Sequence, residues 1–310
     1  FSALTWATNV MPIIQMGMEP VAIDCDSVTL NVMAANLEKA IKKTKIQALF
    51  ITNALGFAGD LKKIAEVCRK NKILLVEDNC EALGTELIGG KTGTFGLAAT
   101  FSFFVAHHMS TIEGGMVCTT NDELAEMLRI VRANGWDRNL EAGQQIRWRK
   151  KHHIESEFEA KYAFYDLGYN LRPTEITGFI GLFQLKFLRE NIKKREQNYL
   201  RLEKVASKNK ELVTLKHNHI LLLSSFAYPV VCKSAKLRQK YFERFSGAGV
   251  EIRPMIAGNI QNQPFYKKYV SNRQELPEAQ FVHDCGFYFG NYPELTESDL
   301  QTLVGCLEEH

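Results

Sequence analysis

The sequence contains no Cys-x-x-Cys pair, and its seven cysteines are scattered and odd in number. This usage is typical of reduced, mostly packed thiols in a cytoplasmic protein. The net charge of +3 is small for 310 residues, and acidic and basic residues are interspersed. Charge therefore indicates neither a nucleic-acid nor a membrane partner. Residues 1–20 are apolar but lack a basic leader and are interrupted by Thr5, Asn9 and Pro12, so we predict neither a signal peptide nor a membrane span there.

The sequence does contain enough apolar material for a large core, since hydrophobic residues make up 45% of the chain. Its length suits one large domain plus a smaller one. Residues 45–56 are an apolar β-prone run, residues 60–72 have a helical period, and residues 73–80 are apolar again. This order predicts a parallel strand–helix–strand unit, which binds ligands at the carboxyl ends of its strands. Asp78 and Glu81 lie at that end of the second strand.

Two adjacent histidines, His107 and His108, lie between strand-like runs at 97–104 and 114–120, and therefore at a strand tip. Neighbouring side chains of an extended chain point to opposite sides, and no third ligand follows at a zinc-like spacing, so we predict no metal site. A histidine that titrates near neutral pH suits general acid–base catalysis, although most loop histidines are simply hydrogen bonded. Thr120, with an acidic residue three positions on, predicts the start of the next helix.

The second half of the chain has a different organisation. Residues 137–161 are charged and aperiodic and predict a long exposed loop. A long amphipathic helix then begins at Pro173. Beyond residue 209, β-prone runs alternate with helical periods, which predicts a small α/β domain. We therefore divide the chain into a large domain at 1–172, a bridging helix at 173–208 and a C-terminal domain at 209–310.

Several polar side chains have both an ordinary and a functional interpretation. A buried unpaired carboxylate is costly, so Asp78 either caps a helix, forms a loop salt bridge or pairs with a cationic ring nitrogen. Ser102 is either an ordinary strand residue or a donor to a phosphate. Asn170 and Arg172 precede the long helix; they are either turn residues or contacts for a phosphate or a neighbouring subunit.

Four segments taken in order, at 3–26, 76–117, 165–186 and 249–265, resemble the sugar aminotransferases and dehydratases of nucleotide-sugar biosynthesis, the DegT/DnrJ/EryC1/StrS family. The resemblance covers essentially the whole chain. It implies an α/β protein of fold type I, the aspartate aminotransferase fold, with a mostly parallel central sheet flanked by helices and a small C-terminal domain. It also implies a cytoplasmic homodimer with a shared active site, and an additional segment before residue 1 that carries part of the phosphate site.

The same resemblance implies a role for each of five residues in holding pyridoxal phosphate. Asp78, in the "VEDNC" segment, pairs with the pyridine nitrogen, and Trp6 stacks on the cofactor ring. Ser102, in "FSFF", holds the phosphate, and Asn170, in "GYN", reaches the same phosphate across the dimer. Glu81 adjoins the ring, with a role that the resemblance leaves unsettled. An ordinary core tryptophan remains the alternative for Trp6.

One position departs from the family pattern. Most members carry a lysine five residues after the phosphate-binding serine, which bonds covalently to the cofactor, whereas this chain has His107. The resemblance therefore implies the histidine-bearing branch, the 3-dehydratases of 4-keto-6-deoxy nucleotide sugars. In that branch pyridoxamine phosphate condenses with the sugar ketone, His107 acts as acid and base, and the carbon 3 hydroxyl leaves. Glutamate regenerates the amine form, and the implied substrate is GDP-4-keto-6-deoxymannose, on the route to colitose.

Part of this branch holds an iron–sulfur cluster with grouped cysteines, but residues 137–161 contain none, so we expect the cluster-free type. Arg253 and Asn259, together with Arg172, are candidate contacts for the sugar or diphosphate, and surface structure explains them equally well. Two alternatives stay open: an inactive or altered nucleotide-sugar 4-aminotransferase relative, and a noncatalytic homodimer that binds nucleotide sugar. Retention of four cofactor contacts argues against the second.

Overall fold

The computed structural model describes residues 1–309, and over that range it contains ten α-helices. Buried hydrophobic residues form two clusters, one around the central sheet and one around the C-terminal part of the chain. In chain order the helices are α1 (Met11–Gln15), α2 (Ala34–Lys43), α3 (Leu61–Lys70), α4 (Asp122–Val131), α5 (Ala142–Lys151), α6 (Glu175–Ala206), α7 (Ala235–Gly247), α8 (Pro264–Tyr269), α9 (Pro277–Cys285) and α10 (Glu297–Leu307).

Ten strands form three sheets over the same residues: a four-stranded sheet and two three-stranded ones. The strands are β1 (Ala48–Thr52), β2 (Leu74–Asp78), β3 (Glu86–Leu87), β4 (Gly90–Lys91), β5 (Ala98–Ser102), β6 (Gly115–Cys118), β7 (Ile220–Leu222), β8 (Ala227–Val231), β9 (Ile252–Pro254) and β10 (Gly286–Gly290). The sheets have the orders β1-β2-β5-β6, β8-β10-β9 and β4-β3-β7. The first of them is the central sheet.

The predicted strand–helix–strand unit is confirmed as β1–α3–β2, with β1 and β2 parallel. Helix α3 buries Leu61, Ile64 and Cys68 against the sheet, where Leu49 and Leu75 are also buried. Their spacing of three and four residues places the helix residues on one face. Strand β5 is parallel to β2 and β6 is antiparallel to β5, which confirms the mostly parallel sheet. The carboxyl ends of β1, β2 and β5 therefore meet at one edge of the sheet.

Register at that edge decides which side chains become neighbours. Thr52 is paired with Asp78 across β1 and β2, and Asp78 with Thr100 across β2 and β5. Ser102 at the end of β5 is paired with Gly115 at the start of β6. The histidine stretch is therefore the connection between β5 and β6, at the predicted strand tip.

Two local predictions are wrong. Helix α4 is capped by Asn121, whose Oδ1 accepts a hydrogen bond from the Leu124 N–H at 2.8 Å, so the cap lies one residue after the predicted cap Thr120. The predicted loop at 137–161 contains helix α5. The Glu126 carboxylate fixes this helix by accepting hydrogen bonds from the side chains of three of its residues, Gln144, Arg147 and Trp148. Because these polar contacts hold the helix, its sequence has no periodic pattern of apolar residues that would predict it.

Helix α6 begins after Thr174, whose hydroxyl caps the helix, close to the predicted start. It is 32 residues long, and its later turns bury Tyr199 and Leu202 in the C-terminal cluster. The small antiparallel sheet β8-β10-β9 packs there with α7. The β-prone run at 211–216 contributes one isolated antiparallel bridge, between Leu212 and Cys232, beside β8. Among the helices of residues 1–309, none has the length and apolar character that a bilayer span requires.

Candidate active site

The Asp78 carboxylate lies at the carboxyl end of β2 and is 6% exposed. Its Oδ2 accepts a hydrogen bond from Asn9 Nδ2 at 2.7 Å. Its Oδ1 accepts from the Cys80 N–H at 3.0 Å and from the Thr100 hydroxyl at 3.2 Å. All three donors are neutral, and within residues 1–309 no lysine or arginine forms an ion pair with Asp78. A buried carboxylate in this state favours a cationic ligand.

Two further polar side chains, Thr52 and Thr5, hold the donor Asn9 in place. Asn9 Nδ2 also donates to Thr52 Oγ1 at 2.7 Å, and the Thr52 hydroxyl is 2.6 Å from the Thr5 hydroxyl. All of them are buried. No sequence pattern indicated Asn9 or Thr5 as site residues. Thr100 could have been found, because it lies two residues before Ser102 on the same face of β5.

His107 lies in the β5–β6 connection with its ring fixed by one hydrogen bond. Its Nδ1 is 2.6 Å from the Cys80 carbonyl oxygen. A carbonyl oxygen only accepts, so Nδ1 carries the proton in the neutral ring and Nε2 is left with a lone pair. Burial lowers the pKa of the His107 imidazole, and the hydrogen bond to Cys80 and the Asp78 charge oppose this effect. The geometry thus provides a neutral imidazole whose Nε2 can accept a proton.

A single residue, Cys80, connects the candidate base to the candidate ring-binding acid. Its N–H donates to Asp78 Oδ1 and its carbonyl accepts from His107 Nδ1. The backbone of Cys80 therefore sets the distance between the end of β2 and the β5–β6 connection. These two hydrogen bonds bring the histidine stretch to the end of β2.

The neighbouring histidine has a different environment. His108 is 3% exposed, and its Nε2 is 3.0 Å from the Ser224 carbonyl oxygen. Burial lowers the pKa of His108 to about 3. His108 is therefore neutral near pH 7, with the proton on Nε2. Among residues 1–309, no group of three or more His, Cys, Asp or Glu side chains is arranged to hold a metal ion.

Glu81 is partly buried close to Asp78, and its Oε2 accepts a hydrogen bond from the Leu55 N–H at 2.8 Å. Leu55 has a left-handed backbone conformation with φ of 56°, which is strained for a branched side chain. The hydrogen bond helps to hold that turn. Burial raises the pKa of the Glu81 carboxyl to about 7; the Leu55 N–H opposes this increase and the Asp78 charge adds to it.

Trp6 and Ser102 lie around the same edge of the sheet. Trp6 begins the short turn that contains Asn9, whose N–H donates to the Trp6 carbonyl oxygen at 3.1 Å. The Trp6 side chain is 59% exposed, so its indole face is accessible rather than part of the core. Ser102 ends β5, where its hydroxyl oxygen accepts only a long hydrogen bond of 3.3 Å from the Phe104 N–H among residues 1–309.

Four predicted site residues lack a direct hydrogen bond to this group. Asn170 and Arg172 are exposed, and Arg172 Nε donates to Asn170 Oδ1 at 2.9 Å. Arg253 is exposed and forms an ion pair with Glu251 at 2.8 Å. Asn259 is buried, with its amide hydrogen bonded to other residues of the C-terminal part. Cys80 joins Asp78 and His107 by hydrogen bonds, and Trp6, Glu81 and Ser102 lie on the chain segments beside them. The other four residues take no part in these hydrogen bonds.

The fold and this site define a class of protein: an α/β protein with a buried carboxylate and a loop imidazole at the carboxyl edge of its sheet. The chain belongs to the DegT/DnrJ/EryC1/StrS aminotransferase family, whose family model matches residues 1–308. It is 32% identical over 309 residues to GDP-4-keto-6-deoxy-D-mannose 3-dehydratase from Yersinia pseudotuberculosis, covering 99% of this chain and 78% of that protein.

Two solved structures are similar over nearly the whole chain. One is a histidine-to-asparagine variant of GDP-4-keto-6-deoxymannose-3-dehydratase with bound GDP-perosamine, with a TM-score of 0.89 and 29% identity. The other is GDP-4-keto-6-deoxymannose-3-dehydratase with a trapped PLP-glutamate geminal diamine, with a TM-score of 0.88 and 29% identity. Each match covers 99% of this chain and 79% of the other. These matches confirm the predicted fold class.

Proposed function

We propose that this protein is a pyridoxal-phosphate-dependent 3-dehydratase of GDP-4-keto-6-deoxymannose, with glutamate as the amino donor, in deoxysugar biosynthesis leading to colitose. The observation that carries the proposal is His107, an imidazole with a free Nε2 that one residue, Cys80, connects to the Asp78 carboxylate. A relative of that activity and structures with GDP-perosamine and a glutamate adduct support it. Seven free cysteines, five of them buried, support a cytoplasmic location.

The residues at the sheet edge fit pyridoxal phosphate. The oxygens of Asp78 accept from neutral donors only, so a protonated pyridine nitrogen would supply the missing positive charge. Trp6 offers an exposed indole face to the ring, and Ser102 offers a hydroxyl to the phosphate. When bound, the cofactor supplies an amine that condenses with the sugar ketone and a ring that withdraws electrons.

His107 then moves the protons of the reaction. Its Nε2 accepts a proton, and the resulting imidazolium returns that proton to the carbon 3 hydroxyl as it leaves. The hydrogen bond from Nδ1 to the Cys80 carbonyl persists in both protonation states, which keeps the ring in one orientation. Asp78 stabilises the proton on the cofactor ring, and Glu81, with a pKa of about 7, is present in both forms near neutral pH.

The test of this proposal is the mass of the product formed from GDP-4-keto-6-deoxymannose with pyridoxal phosphate and glutamate. We expect a product lighter than the substrate by one oxygen atom, with one ammonia and one 2-oxoglutarate per turnover, since glutamate supplies the two electrons. An amino sugar that keeps its carbon 3 hydroxyl would instead indicate a 4-aminotransferase. Binding of the substrate without turnover would indicate a noncatalytic protein.

We also propose that the active protein is a homodimer. Large apolar side chains are exposed along the segment before α6 and its first turns, namely Phe158, Leu167, Ile176, Phe179, Leu182 and Phe183. Such a contiguous exposed apolar face is typical of a protein–protein interface. Asn170 and Arg172 lie within the same exposed segment. A second copy packed there would bring these two side chains to the phosphate in the partner's site.

The dimer proposal predicts that Leu182→Glu yields a monomer that binds pyridoxal phosphate at least about ten-fold more weakly, because it buries a charge in the interface and removes the partner's phosphate contact. Sedimentation velocity and a cofactor titration measure the two effects. Leu200→Glu is the matched control, since Leu200 is an exposed leucine further along the same helix. A Leu182→Glu protein that remains dimeric would contradict the proposed interface.

A further inference from the structure

Phe226 touches both histidines of the β5–β6 connection. Its ring lies 5.1 Å from the His107 ring, with 34° between the planes, and 6.1 Å from the His108 ring. Aromatic contacts at these distances fix ring orientation as well as burying apolar area. The Cys80 carbonyl holds His107 through its Nδ1. The imidazole is therefore held at one nitrogen by a hydrogen bond and on one face by the Phe226 ring.

Two backbone hydrogen bonds, one from its N–H and one to its carbonyl oxygen, hold Phe226 in place. Its N–H donates to the Leu55 carbonyl oxygen at 3.1 Å. Its carbonyl oxygen accepts from Arg195 Nη1 at 2.8 Å. The turn at Leu55 is the one held by Glu81. Phe226 therefore lies between two anchors that approach it from different parts of the fold.

Arg195 is an unusual residue for such an anchor. It is 4% exposed, and its Nη1 donates to the backbone carbonyls of Phe226 and Asn291. The Asn291 side chain in turn donates to the Arg195 carbonyl at 2.9 Å. Within residues 1–309 no carboxylate forms an ion pair with Arg195, and its Nε has no hydrogen-bond partner. A buried guanidinium of this kind is costly for stability, which points to a role in function.

Resting on the proposed function, we propose that Arg195 and Phe226 are positioning residues for the His107 base. Arg195 fixes the Phe226 backbone, the Phe226 ring fixes the plane of the imidazole, and the free Nε2 is thereby aimed in one direction. Neither residue touches the reacting atoms in this arrangement. Each acts through the orientation of His107.

The charge of Arg195 adds a dependence on pH. The charged and titratable groups that act on His107 are Asp78, which favours the imidazolium, and Arg195, which disfavours it; His108 stays neutral. Glu294 and Tyr292 act on Arg195 itself and favour its charged form. Arg195 thus helps burial to keep the pKa of His107 low. Because the base must be unprotonated to accept a proton, loss of this cation moves the acidic limb of the kcat profile to higher pH.

The experiment compares the holoenzyme carrying Phe226→Leu or Arg195→Met with wild type. We expect kcat for dehydration to decrease about 10- to 100-fold in each, with KM unchanged within about two-fold, because only orientation is lost. Arg195→Met shifts the acidic limb upwards, and Phe226→Tyr restores most of the wild-type kcat. Phe245→Leu and Arg201→Met are matched controls: Phe245 is a buried core phenylalanine, and Arg201 forms an exposed ion pair on the same helix.

A second measurement separates this proposal from the proposed function. The Cε1–H resonance of His107, assigned by its loss in His107→Gln, is titrated in the cofactor-free protein. An upward shift of the His107 pKa in Arg195→Met, but not in Arg201→Met, supports the inference whatever the enzyme's substrate is. Unchanged kcat, pH profile and resonance in the two test variants would overturn it. So would decreases of equal size in the controls.

Discussion

His107→Gln decreases kcat for loss of the carbon 3 hydroxyl by about 10³-fold, the scale that a positioned acid–base group contributes. Glutamine is close to histidine in size and keeps a side-chain N–H donor. What it lacks is a group that exchanges a proton near neutral pH. Steady-state kinetics with the nucleotide sugar measure the loss. Glutamate binding, which does not need the base, provides an internal reference.

The matched control is His219→Gln. His219 is also partly buried, and its Nε2 is 2.8 Å from the Ala58 carbonyl oxygen, so the substitution is the same in chemistry and differs in place. We expect wild-type kcat from it. The companion change His107→Lys places an amine where the cofactor aldehyde can bond to it, which gives visible absorption. Borohydride reduction removes that absorption and leaves the cofactor permanently attached. Full dehydration activity in His107→Gln would contradict the role of His107 as the base.

Asp78→Asn decreases the rate of the glutamate half-reaction by about 10³-fold, because a neutral amide no longer stabilises the proton on the cofactor ring. The substitution also replaces one carboxylate oxygen with an NH₂ group, which faces a donor instead of accepting from it. The donor affected is either Asn9 Nδ2, or the Cys80 N–H together with the Thr100 hydroxyl. Stopped-flow absorbance of the bound cofactor measures the rate. Thermal melting of the cofactor-free protein reports any loss of fold.

Asp24→Asn is the control for this change. Asp24 is likewise partly buried and accepts hydrogen bonds from backbone N–H groups, at the start of α9. We expect a modest change in stability and a wild-type half-reaction. If Asp78→Asn keeps the wild-type rate with a normal cofactor spectrum, Asp78 does not partner the ring nitrogen.

The sequence was sufficient for those parts of the fold that local periodicity determines. In the unit β1–α3–β2, two buried strands flank a helix with one apolar face. Each of these elements has a recognisable pattern of apolar residues in the sequence. Turn-forming residues indicated that the histidine stretch lies between two strands, which are β5 and β6. The resemblance to the family then named the acid and the base, and the structure brings Asp78 and His107 within one residue, Cys80, of each other.

Other parts of the site depend on contacts between distant residues and left no local pattern. Asn9 meets Asp78 across 69 positions of the chain, and Arg195 meets Phe226 across 31. Helix α5 is fixed by the Glu126 carboxylate rather than by an apolar face. Such pairings follow from the three-dimensional packing alone. A single sequence therefore predicted the strand ends and missed what surrounds them.

Helix α6 carries both the exposed apolar residues of the proposed interface and the buried Arg195. Its first turns expose Ile176, Phe179 and Leu182, and Arg195 lies thirteen positions beyond Leu182 on the same unbroken rod, roughly 20 Å along the axis at the rise of an α-helix. In the proposed dimer, a partner that packs against the amino-terminal turns would contact the same helix that carries Arg195 to the Phe226 backbone. Assembly and the alignment of the His107 ring would then depend on the placement of one helix.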